Sequence, residues 1–383
     1  MRKRKILFLS ERRADYSRLK PIMELVKKSN KFELCLVVTG LHFLKEFGET
    51  WKVIKQDGFS IDASIPLYKK NIQDDGVAMA GAFGTLVLSL TRVVRREKPD
   101  IIFCGFDTGA SLASAVVGMY LNIPVVHLHG GERSGTVDES LRHAISKLSH
   151  IHFVATKESR ERVIKLGENP KYVFCVGSTS LDTIKTITYP SRKQIFKKYN
   201  IDHQKPLILF SLHPVTTEAD QVTSQIRESI KALSVIQKKY GAQVIAIYPN
   251  NDSGGKSIIK ELKRSHFVVV PNIVYEDYLR LMNVADVLVG NSSAGIHEAP
   301  SFGLPTVNIG SRQQFRERGV NVIDVSHNHR SIRRSITRCL LDKKFRAKVK
   351  HSRNPYDHGY ASKKIIHILE TLDLPQTQKT LTY

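Results

Sequence analysis

The chain has 383 residues, of which 41% are hydrophobic and 25% are charged. This composition is typical of a soluble globular protein and excludes a disordered or low-complexity chain, apart from the polar segment 375–383. A chain of this length has room for two domains of ordinary size, each with its own core.

The formal net charge is +23, from 59 Lys and Arg against 36 Asp and Glu. Such an excess favours negatively charged partners, which include nucleic acids, anionic membranes and small phosphates. Basic clusters lie at 2–5, 92–98 and 343–353, without an RNA-binding aromatic signature or a zinc-finger spacing. We therefore expect a solvated basic surface that helps to attract an anionic substrate, with no nucleic-acid partner. A basic nucleic-acid-binding protein is the non-enzymatic alternative, and salt-sensitive binding would support it.

The four cysteines, Cys35, Cys104, Cys175 and Cys339, have no CxxC spacing and are predicted to be reduced thiols, mostly in apolar strands. The apolar run after the basic start is too short for a secretory signal, which favours a cytoplasmic location. An uncharged stretch at 108–126 is long enough to raise the question of a membrane span. Polar and helix-breaking residues interrupt it, so we expect a buried helix followed by a strand, and no membrane partner.

Short apolar runs alternate with helical patterns in the first half, which indicates a parallel sheet covered by helices. Between the first two runs, apolar residues recur at helical spacing from Leu19 to Val26. The sequence Tyr189-Pro190-Ser191 is interpreted as a linker. The predicted strands of this half are 6–9, 34–39, 101–104, 125–128, 151–154 and 172–176.

The same alternation restarts after the linker, with a helix predicted over 222–239. The predicted strands of this half are 207–211, 244–248, 267–270, 287–289 and 306–309. We therefore expect an α/β protein with two Rossmann-like domains, 1–187 and 188–354, whose parallel sheets face a central cleft. The last segment, 355–383, is expected to pack back on the first domain.

Ligands of open parallel sheets bind beyond the carboxyl ends of the strands, so the residues that follow each strand are candidates for function. Arg13 and Ser17 follow the first strand, where the start of a helix favours the binding of a phosphate group. An equal alternative is that Arg13 is an ordinary surface residue and that Asp15 caps the helix. Asp107 follows the strand 101–104, and is either a carboxylate of the site or the cap of the next helix.

The strand 125–128 is followed by His129-Gly130-Gly131-Glu132, with three glycines in the whole loop that allow a ligand to approach the backbone. Glu132 has no capping role in the sequence, which favours a function in proton transfer. A capping box at Thr136-Val137-Asp138-Glu139 would explain Glu139, and Asp138 shares a helix face with Arg142. The spacing of His129, Glu132 and His143 fits no standard metal site, so no metal is expected.

In the second half, His213 follows the end of the first predicted strand. Asn250 and Asp252 follow the end of the next strand, where the residue preferences of a turn alone can also explain their presence. A strand, a turn of small residues and a helix then follow in order around Asn291, Ser292 and Ser293. This order predicts a pyrophosphate cradle, with Glu298 on the first turns of the helix and Arg312 as a nearby cation. A well-capped helix packed on the sheet is the alternative.

These residues resemble the hydrolysing UDP-N-acetylglucosamine 2-epimerase family, relatives of the GT-B glycosyltransferases, over most of the chain. The matching motifs are Arg13-Ala14-Asp15-Tyr16-Ser17, His129-Gly130-Gly131-Glu132, Asp138-Glu139-Ser140-Leu141-Arg142-His143, His213-Pro214-Val215-Thr216-Thr217, Pro249-Asn250 and Gly290-Asn291-Ser292-Ser293.

The resemblance implies a GT-B-like fold and a two-step reaction without a cofactor. A base removes the C2 proton as the nucleotide leaves C1, and water then adds to the glycal-like intermediate while a proton returns to C2 from the other face. The products would be UDP and a free sugar of the N-acetylmannosamine type, as in sialic-acid biosynthesis. The resemblance assigns catalysis to Asp107, Glu132, Asp138 and His213. Substrate binding is expected at Arg13, Ser17, His129, Arg142, Asn250, Asp252, Asn291, Ser292, Ser293, Glu298 and Arg312.

One departure from the family pattern leaves the substrate open. Family members read Gly-Asp-Arg where this chain has Phe106-Asp107-Thr108, so a diacetamido sugar or a GDP-sugar is an alternative to UDP-N-acetylglucosamine. A GT-B glycosyltransferase and a non-hydrolysing 2-epimerase are the other enzymatic alternatives. A homo-oligomer, either a dimer or a tetramer, is expected.

Overall fold

The computed structural model describes residues 2–68, 75–250 and 252–383. The chain divides into two compact units. Unit 1 comprises Met1–Arg133, Val137–Asp182 and Tyr356–Tyr383. Unit 2 comprises Ser134–Thr136 and Thr183–Pro355.

Unit 1 is built on a seven-stranded sheet in which every strand pairs in parallel with its neighbours. The strands are β1 (Arg4–Ser10), β2 (Phe32–Thr39), β3 (Ala63–Ile65), β4 (Ile101–Gly105), β5 (Val125–Leu128), β6 (Ile151–Val154) and β7 (Val173–Cys175), and their spatial order is β3-β2-β1-β4-β5-β6-β7. The central strands are continuously apolar because helices cover both faces of the sheet.

The helices of unit 1 bury apolar stripes against the two faces of this sheet. They are α1 (Arg13–Lys28), α2 (Trp51–Gln56), α3 (Gly76–Glu97), α4 (Gly109–Tyr120), α5 (Asp138–Leu148) and α6 (Lys157–Lys165), and α7 (Ser180–Thr186) crosses the boundary between the units. The uncharged stretch at 108–126 forms α4 and the start of β5, as its interrupted composition predicted.

The C-terminal segment belongs to unit 1 and packs on α1. Its helix, α15 (Ala361–Thr371), buries Ile365 and Leu369 in the core of that unit. The carboxylate of Asp182 accepts the first two N–H groups of α15, at 3.0 Å and 2.7 Å, and so caps the helix. Lys379 reaches buried Glu168 with its Nζ atom 2.6 Å from Oε2. The end of the chain is therefore held by charge as well as by apolar contact.

Unit 2 is built on a six-stranded parallel sheet in the order β10-β9-β8-β11-β12-β13. The strands are β8 (Leu207–Ser211), β9 (Gln243–Ile247), β10 (Val268–Val270), β11 (Val287–Gly290), β12 (Thr306–Ile309) and β13 (Val322–Val325). The helices are α8 (Arg192–Lys198), α9 (Val222–Tyr240), α10 (Gly255–Lys263), α11 (Tyr275–Val284), α12 (Ala294–His297), α13 (His329–Leu341) and α14 (Lys343–Lys350).

The cysteines are all free thiols, as their spacing predicted. Cys35, Cys104 and Cys339 are buried, and Cys175 is half-buried. Burial raises the pKa of the Cys104 thiol to about 12, which keeps it protonated and unreactive at neutral pH.

Candidate functional site

Each sheet has a switch point, where the strand order runs outward in opposite directions. It lies between β1 and β4 in unit 1 and between β8 and β11 in unit 2. Ligands of open parallel sheets bind beyond the carboxyl ends of the strands at such a point. The residues predicted from the sequence to bind or react follow these strands or their direct neighbours.

In unit 1, β4 and β5 end side by side, since Gly105 pairs with Leu128. The next residue of each strand has a positive φ angle, 72° at Phe106 and 65° at His129. Non-glycine residues seldom adopt this left-handed conformation, so both chains turn sharply at the sheet edge. Gly131 then approaches α6 so closely that a Cβ atom would lie 2.2 Å from the carbonyl oxygen of Ser159.

Arg142 lies at the centre of the resulting cluster and is 1% exposed. Its guanidinium donates to the Asp107 carboxylate, to the carbonyl oxygen of Glu132 at 3.0 Å and to Oε2 of Glu139 at 3.3 Å. A planar guanidinium holds several oxygen acceptors in fixed directions. Arg142 therefore ties the loop after β4 to the loop after β5, and its predicted role in substrate binding stays a prediction.

His129 and Glu132 form a second pair in the same cluster. Nδ1 of His129 lies 2.8 Å from Oε1 of Glu132, and the two residues are 2% and 3% exposed. A buried carboxylate and imidazole in hydrogen-bond contact are a combination that can hold and transfer a proton. The sequence placed both residues in one loop without indicating that they bond to each other.

The start of α5 carries the predicted capping box, Thr136-Val137-Asp138-Glu139. Val137, directly before the helix, already has helical φ and ψ angles of −55° and −24°, which places Thr136 at the capping position, and the box stays a prediction. Glu139 bonds Arg142, and its Oε1 lies 3.0 Å from Nε2 of His143. Asp138 is the first residue of α5 and is half-buried.

The segment after β1 has a capping acid. The carboxylate of Asp15 accepts hydrogen bonds from the N–H groups of Glu11 at 2.8 Å and Arg12 at 3.0 Å. Asp15 is therefore a capping residue, as the alternative to phosphate binding predicted for this segment. Ser17 is 4% exposed, and its hydroxyl donates to the carbonyl oxygen of Ala14 at 3.0 Å. Arg13 is the first residue of α1 and is half-buried. Phosphate binding at Arg13 and Ser17 stays a prediction.

Two buried histidines, neither of them predicted from the sequence, hold these loops by hydrogen bonds. His127 in β5 bonds the Phe106 carbonyl oxygen through Nε2 at 2.8 Å, and Ser146 through Nδ1 at 3.0 Å. Both ring nitrogens of His42 are also bonded: Nε2 lies 2.9 Å from Oγ of Ser10, and Nδ1 lies 2.7 Å from Oγ1 of Thr50. Both are fully buried, and burial lowers the pKa of each to about 3. A polar residue within an apolar strand was the only sequence signal for His127.

The stability of the fold should therefore fall in mild acid. The pKa of each buried histidine lies below its unfolded value of 6.5, so the contribution is fully present above pH 6.5 and is lost as the pH falls towards 3. Between pH 6.5 and pH 5 we expect a loss of about 2 kcal/mol per histidine in the free energy of unfolding. Urea unfolding at the two pH values measures this loss. It should shrink in the variant His127→Gln and stay unchanged in the control His203→Gln, at an exposed position. An equal loss in His127→Gln would contradict the assignment.

In unit 2, β8 and β11 end in register, with Ser211 opposite Gly290. Gly290 has a φ of 129°, and a Cβ atom would lie 1.9 Å from the carbonyl oxygen of Ser211, so only glycine fits. Asn291 follows and is 1% exposed. Its Oδ1 accepts the N–H of His213 at 2.6 Å, and its Nδ2 donates to the His213 carbonyl oxygen at 2.8 Å. Asn291 thus fixes the backbone that carries His213, and its predicted role of ligand binding stays a prediction.

The ring of His213 is oriented by its two nitrogen atoms. The backbone N–H of Asn250 donates to Nδ1 at 3.1 Å, and Nε2 lies 3.3 Å from Oγ of Ser211. Because Nδ1 accepts a hydrogen bond, a neutral ring carries its proton on Nε2. In that form His213 can donate a hydrogen bond through Nε2, and its predicted catalytic role stays a prediction.

The helix at the predicted pyrophosphate site after β11 is shorter than the sequence predicted. It follows Ser292 and Ser293 and has only four residues, so that Glu298 ends the helix rather than lying on its first turns. Asn321 and Pro300 explain this: Nδ2 of Asn321 bonds the Gly295 carbonyl oxygen at 3.0 Å, and Pro300 lies in the 3₁₀ turn that follows.

Two further residues approach the same turn. Nη1 of Arg312 and Nε2 of Gln313 donate to the carbonyl oxygen of Asn291, at 3.2 Å and 2.9 Å. Arg312 was predicted as a cation near phosphates, whereas Gln313 was missed. Asp252 lies before α10, where its carbonyl oxygen accepts the N–H of Gly255 at 2.9 Å. The sequence position of Gln313, three residues after the positive-φ Gly310, gave no chemical signal.

Two parallel sheets in Rossmann-like order, each with polar and glycine-rich loops at its switch point, define a two-unit α/β protein of the GT-B-like class. The family model described as UDP-N-acetylglucosamine 2-epimerase matches residues 24–370. The chain belongs to this family, as its motifs indicated.

Two relatives illustrate the similarity. The chain is 39% identical to the UDP-N,N'-diacetylbacillosamine 2-epimerase (hydrolyzing) of Legionella pneumophila, over 97% of each protein. It is 36% identical to a UDP-N-acetylglucosamine 2-epimerase of Neisseria meningitidis serogroup B, over 90% of this chain and 89% of the relative.

A solved structure agrees in fold. The crystal structure of UDP-GlcNAc 2-epimerase from Neisseria meningitidis bound to UDP-GlcNAc aligns with a TM-score of 0.81 at 22% sequence identity, over 96% of this chain and 100% of the other. At this identity the match supports the fold alone.

Proposed function

We propose that this chain is a cytoplasmic hydrolysing 2-epimerase that acts on a UDP-linked 2-acetamido sugar. The observation that carries the proposal is the network of Arg142, Glu132 and His129, all buried, with the half-buried Asp107 at the ends of two adjacent strands. Inversion at C2 needs one group to remove a proton and another to return it to the opposite face. A site with two separately held carboxylates and an imidazole contains the groups that this chemistry needs.

The reaction balances without a redox cofactor. A carboxylate takes the C2 proton as the bond between C1 and the diphosphate oxygen breaks, which leaves a C1–C2 double bond. Water then adds its hydroxyl to C1, and a proton is delivered to C2 from the other face. We assign the proton transfers to Asp107, Glu132 and Asp138 without ordering them. His213, with its proton on Nε2, is assigned to the departing diphosphate.

Unit 2 is proposed to bind the nucleotide. Ser292 and Ser293 at the end of β11, with Arg312 beside them, supply hydroxyl groups and a positive charge suited to a diphosphate. Glu298 is assigned to the ribose hydroxyls, and Arg13 in unit 1 remains a candidate for phosphate contact. The net charge of +23 would increase the rate of encounter with such an anion.

The sugar is proposed to be N-acetylglucosamine or a 2,4-diacetamido relative. The name of the Legionella pneumophila relative, at 39% identity, supports the diacetamido sugar and the hydrolysing reaction. The name of the Neisseria meningitidis relative, at 36% identity, supports N-acetylglucosamine.

Product analysis tests the proposal. We expect incubation with UDP-N-acetylglucosamine or the UDP-diacetamido sugar, in D₂O enriched in ¹⁸O, to release UDP and a free 2-epimeric sugar. NMR should find deuterium at C2, and mass spectrometry should find ¹⁸O on the sugar rather than on UDP, because the C1–O bond breaks. GDP-linked sugars serve as the comparison for the base. An intact epimerised UDP-sugar would indicate a non-hydrolysing epimerase, and a strict need for an acceptor would indicate a glycosyltransferase.

A further inference from the structure

The polar C-terminal segment 375–383 contacts unit 1 at several of its residues. Nε2 of His150 lies 3.0 Å from the carbonyl oxygen of Thr377. Leu381 covers Gly167, where a Cβ atom would lie 2.8 Å from Cδ2 of the leucine. A polar segment gains little free energy from burying apolar area, so specific contacts must hold this segment in place.

Lys379 brings an ammonium group from this segment to the C-terminal end of α5, and its side chain is only 23% exposed. Nζ donates to the carbonyl oxygen of Lys147 at 2.6 Å and to that of Ser149. The last carbonyl oxygens of a helix have no donor within the helix, and a cation beside them also interacts favourably with the helix dipole. Lys379 therefore caps α5 from outside the helix.

Glu168 joins the same end of α5 to the sheet and to the C-terminal segment. Its side chain is buried; Oε1 accepts from Nζ of Lys147 at 2.9 Å, and Oε2 lies 3.2 Å from Nε2 of His152 on β6. Burial alone would raise the pKa of Glu168, but hydrogen bonds from His152 and Lys379 lower it to about 2. The carboxylate is therefore charged at neutral pH, and the two lysines supply the positive charge that allows it to stay buried.

The N-terminal half of α5 carries residues of the candidate site. Arg142, which donates to the Asp107 carboxylate, lies about 10 Å along the helix from the capped end. Ser146 bonds His127, whose Nε2 lies 2.8 Å from the carbonyl oxygen of Phe106. Because Phe106 directly precedes Asp107, two chains of hydrogen bonds connect α5 to the loop that carries this carboxylate. Such networks couple distant positions, so a shift of the helix would also move the carboxylate.

We propose that Lys379 is a positioning residue, which fixes α5 from its C-terminal end and thereby holds Arg142 and Asp107 in place for catalysis. The catalytic part of this inference rests on the proposed function, whereas the effect on α5 does not. Proton transfer at C2 needs the carboxylates at fixed distances from the sugar, and a misplacement of about 1 Å can lower the rate about 100-fold. Lys379 thus acts on the reaction through the helix and not through contact with the substrate.

The variant Lys379→Met in the full chain tests the proposal. Methionine keeps an unbranched apolar stem but removes the ammonium group, so the end of α5 loses its external donor. Where circular dichroism shows the variant to be folded, we expect kcat on the active UDP-sugar to fall about tenfold while KM stays within about twofold. Lys379→Arg keeps the positive charge and several donors, and should recover most of the rate. Lys379→Gln, a milder change, replaces Lys379→Met if that variant does not fold.

Hydrogen–deuterium exchange of the peptide 138–148 measures the effect on α5 independently of activity. We expect faster exchange in Lys379→Met than in the wild type, because the helix opens more often when its end is not capped. The matched control is Lys363→Met, which makes the same chemical change at an exposed position on α15. It should keep both the exchange of α5 and the kcat of the wild type.

Three outcomes would overturn the proposal. They are a wild-type kcat in folded Lys379→Met, exchange of α5 in that variant equal to the wild type, or no recovery of the rate in Lys379→Arg. A role of Lys379 in stability alone would give the first of these. If the wild type turns over none of the UDP-sugars, the proposed function fails, while the exchange of α5 still decides whether Lys379 holds the helix.

Discussion

Glu132→Gln should lower kcat by about 10²–10⁴-fold, which is the range for loss of a general acid or base. Glutamine has the shape of glutamate and can still bond Nδ1 of His129, now 2.8 Å from Oε1, but it cannot take or return a proton. The affinity for UDP should stay within about twofold, because nucleotide binding is assigned to unit 2. Turnover on the active UDP-sugar and titration calorimetry with UDP measure the two quantities.

The matched control is Glu158→Gln. It makes the same chemical change at a side chain that is 60% exposed and paired with Arg162 at the surface of α6. Its kcat should equal that of the wild type. If Glu132→Gln also turns over within threefold of the wild type, Glu132 has no part in proton transfer. Exchange of deuterium into C2 of unreacted substrate separates a defect in proton removal from a defect in the later steps.

The sequence predicted the parallel sheets well where a strand is buried on both faces. Each predicted run in the centre of a sheet is a strand, since covered parallel strands must be continuously apolar. Two edge strands were missed. β3 has three residues, and β13 carries Asp324 and is half-exposed, so neither forms an apolar run. Edge strands gain their pairing from a single neighbour, and their pattern contains little of the information that burial imposes.

The site was predicted at the level of loops and not at the level of bonds. A strand end followed by glycines and acids is visible in a sequence and favoured Glu132, whereas Asp107 and His213 were assigned to the site through the family resemblance. Which groups pair depends on the register of adjacent strands and on backbone turns such as the one at Phe106, with its φ of 72°.

Arg142→Met should remove both activity and stability. The guanidinium is 1% exposed and is the donor shared by Asp107, Glu139 and the Glu132 carbonyl oxygen. Methionine fills a similar volume but donates no hydrogen bond, so two carboxylates lose their positive partner. We expect the free energy of unfolding to fall by about 3 kcal/mol, because Asp107 is only partly exposed. With the carboxylates displaced, kcat should fall at least 100-fold while KM changes little, as measured by steady-state kinetics and urea unfolding.

The pairing with Asp107 makes the prediction specific. In an Asp107→Asn background the carboxylate that Arg142 neutralises is gone, so Arg142→Met should cost less stability there than in the wild type. Residues in direct contact show such non-additivity, whereas distant residues do not. Arg330→Met, at an exposed position on α13, is the control and should be additive with Asp107→Asn. Additive costs for Arg142 and Asp107 would mean that the ion pair contributes nothing, and Arg142 would then stabilise the site through Glu139 and the β5 loop alone.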